Sequence, residues 1–318
     1  MSGAEIVYEF NEAIEKNKMH VVKFIEKKHK RLSGEKKWAS LINNREFFAE
    51  SPLERAISCS SYSMVKYLIE QGAEVNGTHN QTSTSPLVKS IYNQSYNIVK
   101  ELIRAGVNVN EKGEGGETPL KIAVELGDKR ITKYLLRSGA IVTASILKEA
   151  AAQNNDTLFK MLIDSDEVNM NLREAADGKG AIHVAAANGS LHVIQTLMEY
   201  EEELDITTPD NEGMTPLMHA VINEHELIVA QLVDSFDCNV NQIDAHGRTV
   251  LQMALEMKNE SIMRLLLATY GIDSNVHYEA AKLEIKKADQ EIVQNLNESG
   301  IHKIHFEELG FSNHVFLS

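Results

Sequence analysis

The histidines and cysteines are the residues of this chain best suited to chemistry. Three histidines, His302, His305 and His314, lie close together in the sequence, where a metal ion is one hypothesis. No carboxylate or cysteine stands beside them at the spacing of a zinc site, which favours ordinary surface histidines. Cys59 and Cys238 form no CxxC pattern and are too few for a disulfide framework. The sequence therefore predicts free thiols in a reducing compartment, no metal site and no cofactor.

Sequence signatures of common enzymes are also missing. The chain contains no GxxxxGK[ST] loop for phosphates, no GxGxxG after a strand, no HExxH and no GxSxG. We therefore predict that the protein is not an enzyme. His183 and His219 lie near the starts of predicted helices, and we expect them to form hydrogen bonds between neighbouring structural units.

Composition and charge restrict the class of protein further. The chain has 318 residues, of which 43% are hydrophobic and 25% charged, enough to bury a large core. No run of about 18 apolar residues occurs, so neither a secretion signal nor a membrane span is expected. This favours a cytoplasmic location, with the nucleus as an alternative.

The net charge of −14 is unevenly distributed. Residues 15–37 carry nine Lys or Arg against three Glu, so the remainder of the chain is strongly acidic. Nucleic acids are bound over broad surfaces by clustered Lys and Arg, which argues against such binding here. An acidic surface suits a basic protein partner better.

A short pattern recurs along the chain with a period of about 34 residues. Aligning each copy on the residue before its first leucine or isoleucine gives two series of anchors: Pro52, Pro86 and Pro119, then Ala181, Pro216 and Val250. The spacings are 34 and 33 in the first series and 35 and 34 in the second. The chain is therefore predicted to be a tandem repeat array.

Each unit is predicted to be a pair of short helices. Thr118 is a suitable N-cap, and Pro119 fits the first position of a helix because it has no N–H to leave unpaired. A second helix is predicted to begin at Lys129 and to end at Gly139 in the left-handed conformation. Helices this short are unstable alone, so each pair must be held by burial against its neighbours.

These motifs resemble the ankyrin repeat family. The resemblance rests on TPL at residues 118–120 and 215–217, IHVAAANG at 182–189, LIEQGAEVN ending at Asn76, and DNEGMTPL at 210–217, and it covers residues 43–273. It implies an all-α solenoid of about seven repeats, each with two antiparallel helices and a projecting β-hairpin finger. The fingers and first helices would face a concave side.

Three regions are predicted on this basis: a capping helix pair with a basic insertion at 1–40, the repeat array at 41–278, and a C-terminal cap helix with an apolar tail at 279–318. The insertion around Trp38 is interpreted as a solvated loop, a nuclear-import signal or a contact for an acidic partner. After Gly139 the next helix follows about six residues too early for the period. The finger near residues 140–145 is therefore predicted to be missing; a divergent repeat that the fold tolerates is the alternative.

The resemblance also implies where a partner binds. In the family, contacts come mainly from finger residues before TPL and from the two positions after the paired alanines. Carried over position by position, they are Tyr92, Asn93, Glu114, Glu117, Glu125, Asp177, Lys179, Ala187, Asn188, Asn211, Glu212, Met214, Ile222, Asn223, Ala245, His246, Arg248, Glu256 and Met257. Among these, Tyr92, Met214, Ile222 and Met257 are the expected apolar contacts.

The predicted function is a monomeric, non-catalytic interaction module that binds a protein or peptide, as an adaptor, an inhibitor or an effector. The alternative is a substrate-receptor or regulatory subunit that recruits an enzyme through a terminal segment. The family further implies one modification. Asn76, with Leu68 eight residues before it and Glu74 two before it, resembles the substrates of an asparaginyl hydroxylase.

Overall fold

The computed structural model describes residues 3–44, 50–76, 85–113, 115–165, 168–200, 203–234, 238–269, 271–272, 282–288 and 290. Within these ranges the chain forms helices joined by turns and no regular β-strand. A single antiparallel bridge between Arg173 and Gly180 is the nearest approach to a hairpin ladder in the same ranges. The predicted all-α class is confirmed.

Most helices in this part of the chain are seven to nine residues long and come in pairs. In chain order they are α1 (Gly3–Glu15), α2 (Met19–Ser33), α3 (Glu35–Ile42), α4 (Pro52–Ser58), α5 (Tyr62–Glu70), α6 (Pro86–Tyr92), α7 (Tyr96–Arg104), α8 (Pro119–Glu125), α9 (Lys129–Arg137), α10 (Ala144–Ala152), α11 (Asp156–Ile163), α12 (Ala181–Ala187), α13 (Leu191–Met198), α14 (Pro216–Ile222), α15 (Glu226–Val233), α16 (Val250–Met257) and α17 (Glu260–Ala268). From α4 onward, each even-numbered helix is the first of its pair.

The helices fall into two compact units. Unit 1 comprises Met1–Ala150 with Lys160–Val168, and unit 2 comprises Ala151–Phe159 with Asn169–Ser318. Within unit 1, α4 packs against α6 and α6 against α8; within unit 2, α12 packs against α14 and α14 against α16. The second helices pack in the same order, since α5 contacts α7, α7 contacts α9, and α13 contacts α15.

Four of the first helices, α4, α8, α14 and α16, begin at a side-chain cap. The Thr118 side chain accepts a hydrogen bond from the N–H of Lys121 at 3.3 Å, and Pro119 occupies the first turn, as predicted. Ser51 and Glu54 form a capping box. The Ser51 hydroxyl accepts a hydrogen bond from the N–H of Glu54, and the Glu54 carboxylate accepts one from the N–H of Ser51 at 2.6 Å. Capping satisfies backbone donors that a seven-residue helix would otherwise leave unpaired.

Glycine ends the second helix as the sequence predicts. Gly139, just after α9, has φ +86°, a left-handed conformation that glycine adopts at little cost because it has no Cβ. Residues 138–143 alone connect α9 to α10, whereas residues 105–118 connect α7 to α8. The join at Gly139 is thus less than half as long as its neighbour.

Small side chains bring the two helices of a pair together. Ala123 in α8, Ala185 and Ala186 in α12 and Ala220 in α14 are fully buried. Because the helices are too short to persist alone, this burial between successive pairs supplies most of their stability.

The region around Trp38 departs from the sequence prediction. It forms a third helix, α3, and the Trp38 side chain is 2% exposed, so it is not part of a solvated loop. The indole packs edge-on against Phe10 with ring centroids 5.5 Å apart, and the Lys30 ammonium lies 5.6 Å from the Trp38 ring centroid. The helices α1, α2 and α3 therefore pack around an aromatic core. The many Lys and Arg residues of the segment concealed this core from the sequence prediction.

Residues 282–288 are helical, within the segment where a C-terminal cap is predicted. The apolar tail and the histidines His302, His305 and His314 lie outside the described residues.

Candidate partner-binding surface

The fingers of unit 2 are built around buried aspartates. One carboxylate oxygen of Asp210 accepts hydrogen bonds from the N–H groups of Glu212 and Met214, both at 2.9 Å. The other oxygen accepts from His219 Nε2 at 2.8 Å. Burial alone would raise the pKa of Asp210, but the hydrogen bonds from His219, Met214 and Glu212 outweigh it and hold the pKa below its ordinary value. The ionised carboxylate thus fixes the turn.

The next finger repeats this arrangement with different chemistry. Asp244 accepts from the N–H groups of His246 and Arg248 at 2.9 and 2.8 Å, and its second oxygen accepts from Arg248 Nε at 2.9 Å. The arginine here replaces the histidine of the preceding finger as the side-chain partner. Both turns are therefore held by a charge whose side chain is fully buried.

Adjacent fingers are joined through their main chains. The N–H of Asn211 donates to the carbonyl of Asp177 at 3.0 Å, and the N–H of Ala245 donates to the carbonyl of Glu212 at 3.1 Å. A Cβ added at Gly213, where φ is +77°, would lie 2.6 Å from the nitrogen of Ala245. The tips therefore lie in fixed register along one edge of unit 2, and the Asn211 amide reinforces it by donating to the Ala176 carbonyl at 3.3 Å.

The structure places most of the predicted contact residues at accessible positions. The exposed ones are Tyr92, Asn93, Glu125, Asn188, Asn211, Glu212, Asn223, Ala245, His246 and Glu256. The half-buried ones are Glu117, Asp177, Lys179, Ala187, Ile222, Arg248 and Met257. Glu114 lies outside the described residues. The main-chain hydrogen bonds between adjacent fingers bring together the predicted contact residues that lie on the fingers of unit 2. Tyr92, Asn93 and Glu125 belong to unit 1.

Met214 is the clearest exception. Its side chain is 6% exposed, because the turn that Asp210 holds folds it inward, and it offers no apolar contact to a partner. Other predicted contact residues are accessible but engaged within the fold, among them Asn93, Asn211, Asn223 and Arg248. Arg248 is bound to Asp244, and the Asn93 amide donates to the Ile57 carbonyl of the preceding repeat at 2.9 Å.

The predicted hydrogen bonding between neighbouring units is confirmed for His183 and is wrong for His219, whose bond stays within its own repeat. His183 Nε2 lies 3.0 Å from the Thr208 carbonyl of the next finger, and the N–H of Gly180 donates to its Nδ1 at 3.3 Å. The Asp210 carboxylate that His219 binds belongs to its own repeat, while the His183 and His219 rings lie edge to face with centroids 6.0 Å apart. Both side chains therefore organise the fingers.

We expect unit 2 to lose stability in mild acid through His183. Burial, with the nearby Arg173 and His219 as further contributors, lowers the pKa of His183 from 6.5 to about 4. The neutral ring is thus favoured in the folded state, so its contribution is complete above pH 6.5 and disappears as the pH falls toward 4. The free energy of unfolding should fall by about 3 kcal/mol across this window in urea titrations. His183→Gln should flatten the dependence; an unchanged slope would contradict the assignment.

An asparagine series that the sequence prediction overlooked connects successive repeats. Asn110 donates to the Gly139 carbonyl at 3.0 Å and accepts from the N–H of Ile141 at 2.9 Å. Asn171 makes the same pair of bonds to the backbone of Glu203 and Asp205. The recurrence of asparagine at the end of each helix pair was the signal that could have revealed it.

Asn76, the predicted hydroxylation site, belongs to this series. Its side chain is exposed, and its carbonyl oxygen accepts from the N–H of Asn108 at 2.8 Å. Hydroxylation of Asn76 remains a prediction.

The cysteines stay apart as predicted, since both are free thiols. Burial raises the pKa of the Cys238 thiol to about 11, which suppresses its reactivity. Within the described residues, no three His, Cys, Asp or Glu side chains are placed to hold a metal ion. None of the helices described combines the length and the apolar character needed to cross a bilayer.

Stacked helix pairs with finger-like turns in register define a helical repeat protein whose function is recognition. A family model for ankyrin repeats (3 copies) matches residues 53–146, 147–244 and 202–278, and the chain belongs to this family. The human ASB11 ankyrin repeat domain has a similar fold, with a TM-score of 0.55 and 22% identity, over 74% of this chain and 98% of that one. Ankyrin repeats are protein–protein interaction modules, and their fold is generally a non-enzymatic scaffold.

Two relatives show how far the similarity extends. Human Rabankyrin-5 is 27% identical over 157 residues, which are 49% of this chain and 12% of that protein. A Caenorhabditis elegans protein named intracellular phospholipase A2 is 27% identical over 148 residues, which are 45% of this chain and 14% of that protein. The chain thus matches only a small part of each relative's length.

Proposed function

We propose that this chain is a non-catalytic binding module that holds a protein or peptide partner along the fingers of unit 2. The observation that carries the proposal is the main-chain connection between adjacent tips, Asn211 to Asp177 and Ala245 to Glu212. A surface already in register loses little conformational entropy when a partner binds. The side chains of Glu212 and His246 are left exposed for recognition.

The partner segment is proposed to be basic. Lys179 lies 3.7 Å from Asp210, and Arg248 lies 2.9 Å from Asp244, so each finger cation is paired with a buried carboxylate. The exposed carboxylate of Glu212 lies at the same edge. A segment with Lys or Arg would complement this edge and be steered to it by the acidic charge of the chain.

A single photo-crosslinking experiment tests the location of the binding surface and identifies the partner. A photoreactive residue placed at Glu212 or His246 in the full chain should crosslink to one recurring protein in native extract. Leu227 is a matched control, because it is 68% exposed on α15 of the same unit but away from the fingers. Recurrent crosslinks from Leu227 but not from the finger positions would refute the proposal.

Charge reversal then tests the recognition chemistry with the captured partner. Glu212→Lys should weaken binding of a basic segment at least about tenfold, because it replaces attraction with repulsion at a point of contact. Glu226→Lys makes the same change on exposed α15 and should leave the affinity unchanged. Isothermal titration calorimetry measures both, and equal effects of the two substitutions would argue against a finger-edge contact.

The alternative of an enzyme-recruiting terminal segment rests on residues 301–318, which lie outside the described residues.

A further inference from the structure

The second helices of unit 1 concentrate positive charge. The helices α2, α5, α7 and α9 together contain twelve Lys or Arg and three Glu. α9 alone carries Lys129, Arg130, Lys133 and Arg137 with no acidic residue. This concentration occurs in a chain whose net charge is −14.

These four helices form one continuous surface. α5 packs against α7, and α7 packs against α9. α2 is bound to α5 through the Tyr67 hydroxyl, which donates to Glu26, and through Lys30, which donates to the Gln71 side chain at 3.1 Å. Helices packed side by side lie about 8–10 Å apart, so the cations form parallel rows. We call the outward Lys and Arg of these helices the basic face.

The glutamates of the basic face do not cancel its charge. Glu26 binds Tyr67 and lies 3.1 Å from Lys30, Glu70 lies 4.0 Å from Lys66, and Glu101 accepts from the Tyr62 hydroxyl. By contrast Lys23, Lys27 and Arg31 of α2 are exposed, as are Lys129, Lys133 and Arg137 of α9. A broad net positive potential therefore faces solvent.

The charge is segregated by position in the fold. The first helices of unit 1, α1, α4, α6 and α8, carry six Glu against three Lys or Arg. The second helices α13, α15 and α17 of unit 2 carry one Arg against two Glu. The basic face is thus a property of one side of unit 1 and does not follow from the composition of second helices in general.

We propose that the basic face docks unit 1 onto an anionic lipid bilayer. Rows of lysine on side-by-side helices match the extended negative surface of such a bilayer. Each Lys or Arg near the surface contributes about 1 kcal/mol to the binding free energy, roughly a fivefold gain in affinity. Phe24 is 65% exposed among Lys23, Lys27 and Lys28 on α2, where its ring can enter the headgroup boundary. The first helices of unit 1 are acidic, whereas its second helices are basic. This separation of charge would orient unit 1 with its basic face toward the bilayer.

The contact is peripheral and independent of the finger edge of unit 2. A lysine-rich face with an exposed phenylalanine favours lipid over an acidic protein or a nucleic acid, because the aromatic ring gains from an apolar layer beneath the charges. Nucleic acid and acidic polypeptide are the competing occupants that the experiment distinguishes.

Vesicle co-sedimentation of the full chain tests the proposal. The chain should sediment with vesicles of phosphatidylcholine and phosphatidylserine at about 2:1 near 0.1 M salt, where charges interact over about 10 Å, and not with phosphatidylcholine alone. The triple variant Lys129→Gln, Lys133→Gln and Arg137→Gln should lose about a hundredfold in affinity. The matched variant Lys112→Gln, Lys121→Gln and Lys258→Gln removes the same charge elsewhere and should bind as the original chain does.

A second pair of variants tests insertion. Phe24→Ala should weaken binding to the mixed vesicles about tenfold, whereas Leu227→Ala, which removes a similarly exposed apolar side chain from α15, should have no effect. Absence of binding to the mixed vesicles, or equal losses from the two triple variants, would overturn the proposal. So would tighter binding to duplex RNA or polyglutamate than to the vesicles, with Phe24→Ala having no effect. Circular dichroism confirms that each variant is folded.

Discussion

Replacing Trp38 with alanine is expected to lower the free energy of unfolding of unit 1 by about 4 kcal/mol. The side chain is 2% exposed and packs edge-on against Phe10, with His29 on another side at 6.3 Å between ring centroids. Alanine would leave a cavity among the packed helices α1, α2 and α3. Urea denaturation followed by far-ultraviolet circular dichroism measures the loss.

Two substitutions separate this cavity effect from a general effect of removing an aromatic residue. Trp38→Phe keeps most of the buried area and should cost about 1–2 kcal/mol. Phe24→Ala removes an aromatic ring that is 65% exposed and should change stability by less than about 0.5 kcal/mol. If Trp38→Ala proved as mild as Phe24→Ala, the cap would not depend on α3.

The second large effect is expected at Asp210. Its replacement by alanine should destabilise unit 2 by about 4 kcal/mol, because removing one member of a buried charged cluster leaves the others unpaired. The N–H groups of Glu212 and Met214 and the ring of His219 all lose their acceptor. Hydrogen exchange read by mass spectrometry should show the peptide around residues 210–216 opening first, and urea denaturation gives the total loss.

Asparagine and a neighbouring position provide the controls. Asp210→Asn keeps one carbonyl acceptor for the turn and should cost about half as much as alanine. Glu212→Ala removes an exposed carboxylate from the same turn and should cost less than about 0.5 kcal/mol. Should Glu212→Ala match Asp210→Ala in its effect, the stability of the turn would depend on the tip rather than on the buried carboxylate.

The two units use charge in different ways. In unit 2 the carboxylates of Asp210 and Asp244 are buried and accept the hydrogen bonds that fix the fingers. The edge formed by these fingers is therefore rigid. In unit 1, exposed cations on both α2 and α9 attract anions over long range; they are Lys23, Lys27, Arg31, Lys129, Lys133 and Arg137. One chain thus presents an edge suited to a folded or extended protein segment and a face suited to an anionic surface.

Several features could be predicted because they depend on neighbours in sequence. The cap at Thr118, the proline after it and the left-handed Gly139 are local, since the hydrogen bonds and steric limits involved span fewer than about five residues. The repeat period can likewise be read directly from the amino-acid sequence, and so can the absence of catalytic signatures. His183 was assigned correctly because the repeat alignment placed it at the start of a helix, next to the following finger.

Other features escaped prediction because they depend on how the folded chain surrounds each side chain. Met214 was expected at the surface, but its burial follows from a turn that Asp210 closes. Trp38 lies in a basic stretch, and only its contact with Phe10 reveals a core position. The basic stretch of α2 is visible in the sequence, but only the packing of α5 against α7 and of α7 against α9 joins it with the cations of α9 in one basic face.

The sequence by itself determined that this protein is a stack of ankyrin helix pairs, because caps, breaks and apolar spacing act over one or two turns of chain. Only the tertiary structure decided which charges are buried in the fingers and which gather on one side of unit 1. That division arises between repeats, where side chains far apart in sequence share one environment and their energies depend on distance and burial rather than on order along the chain.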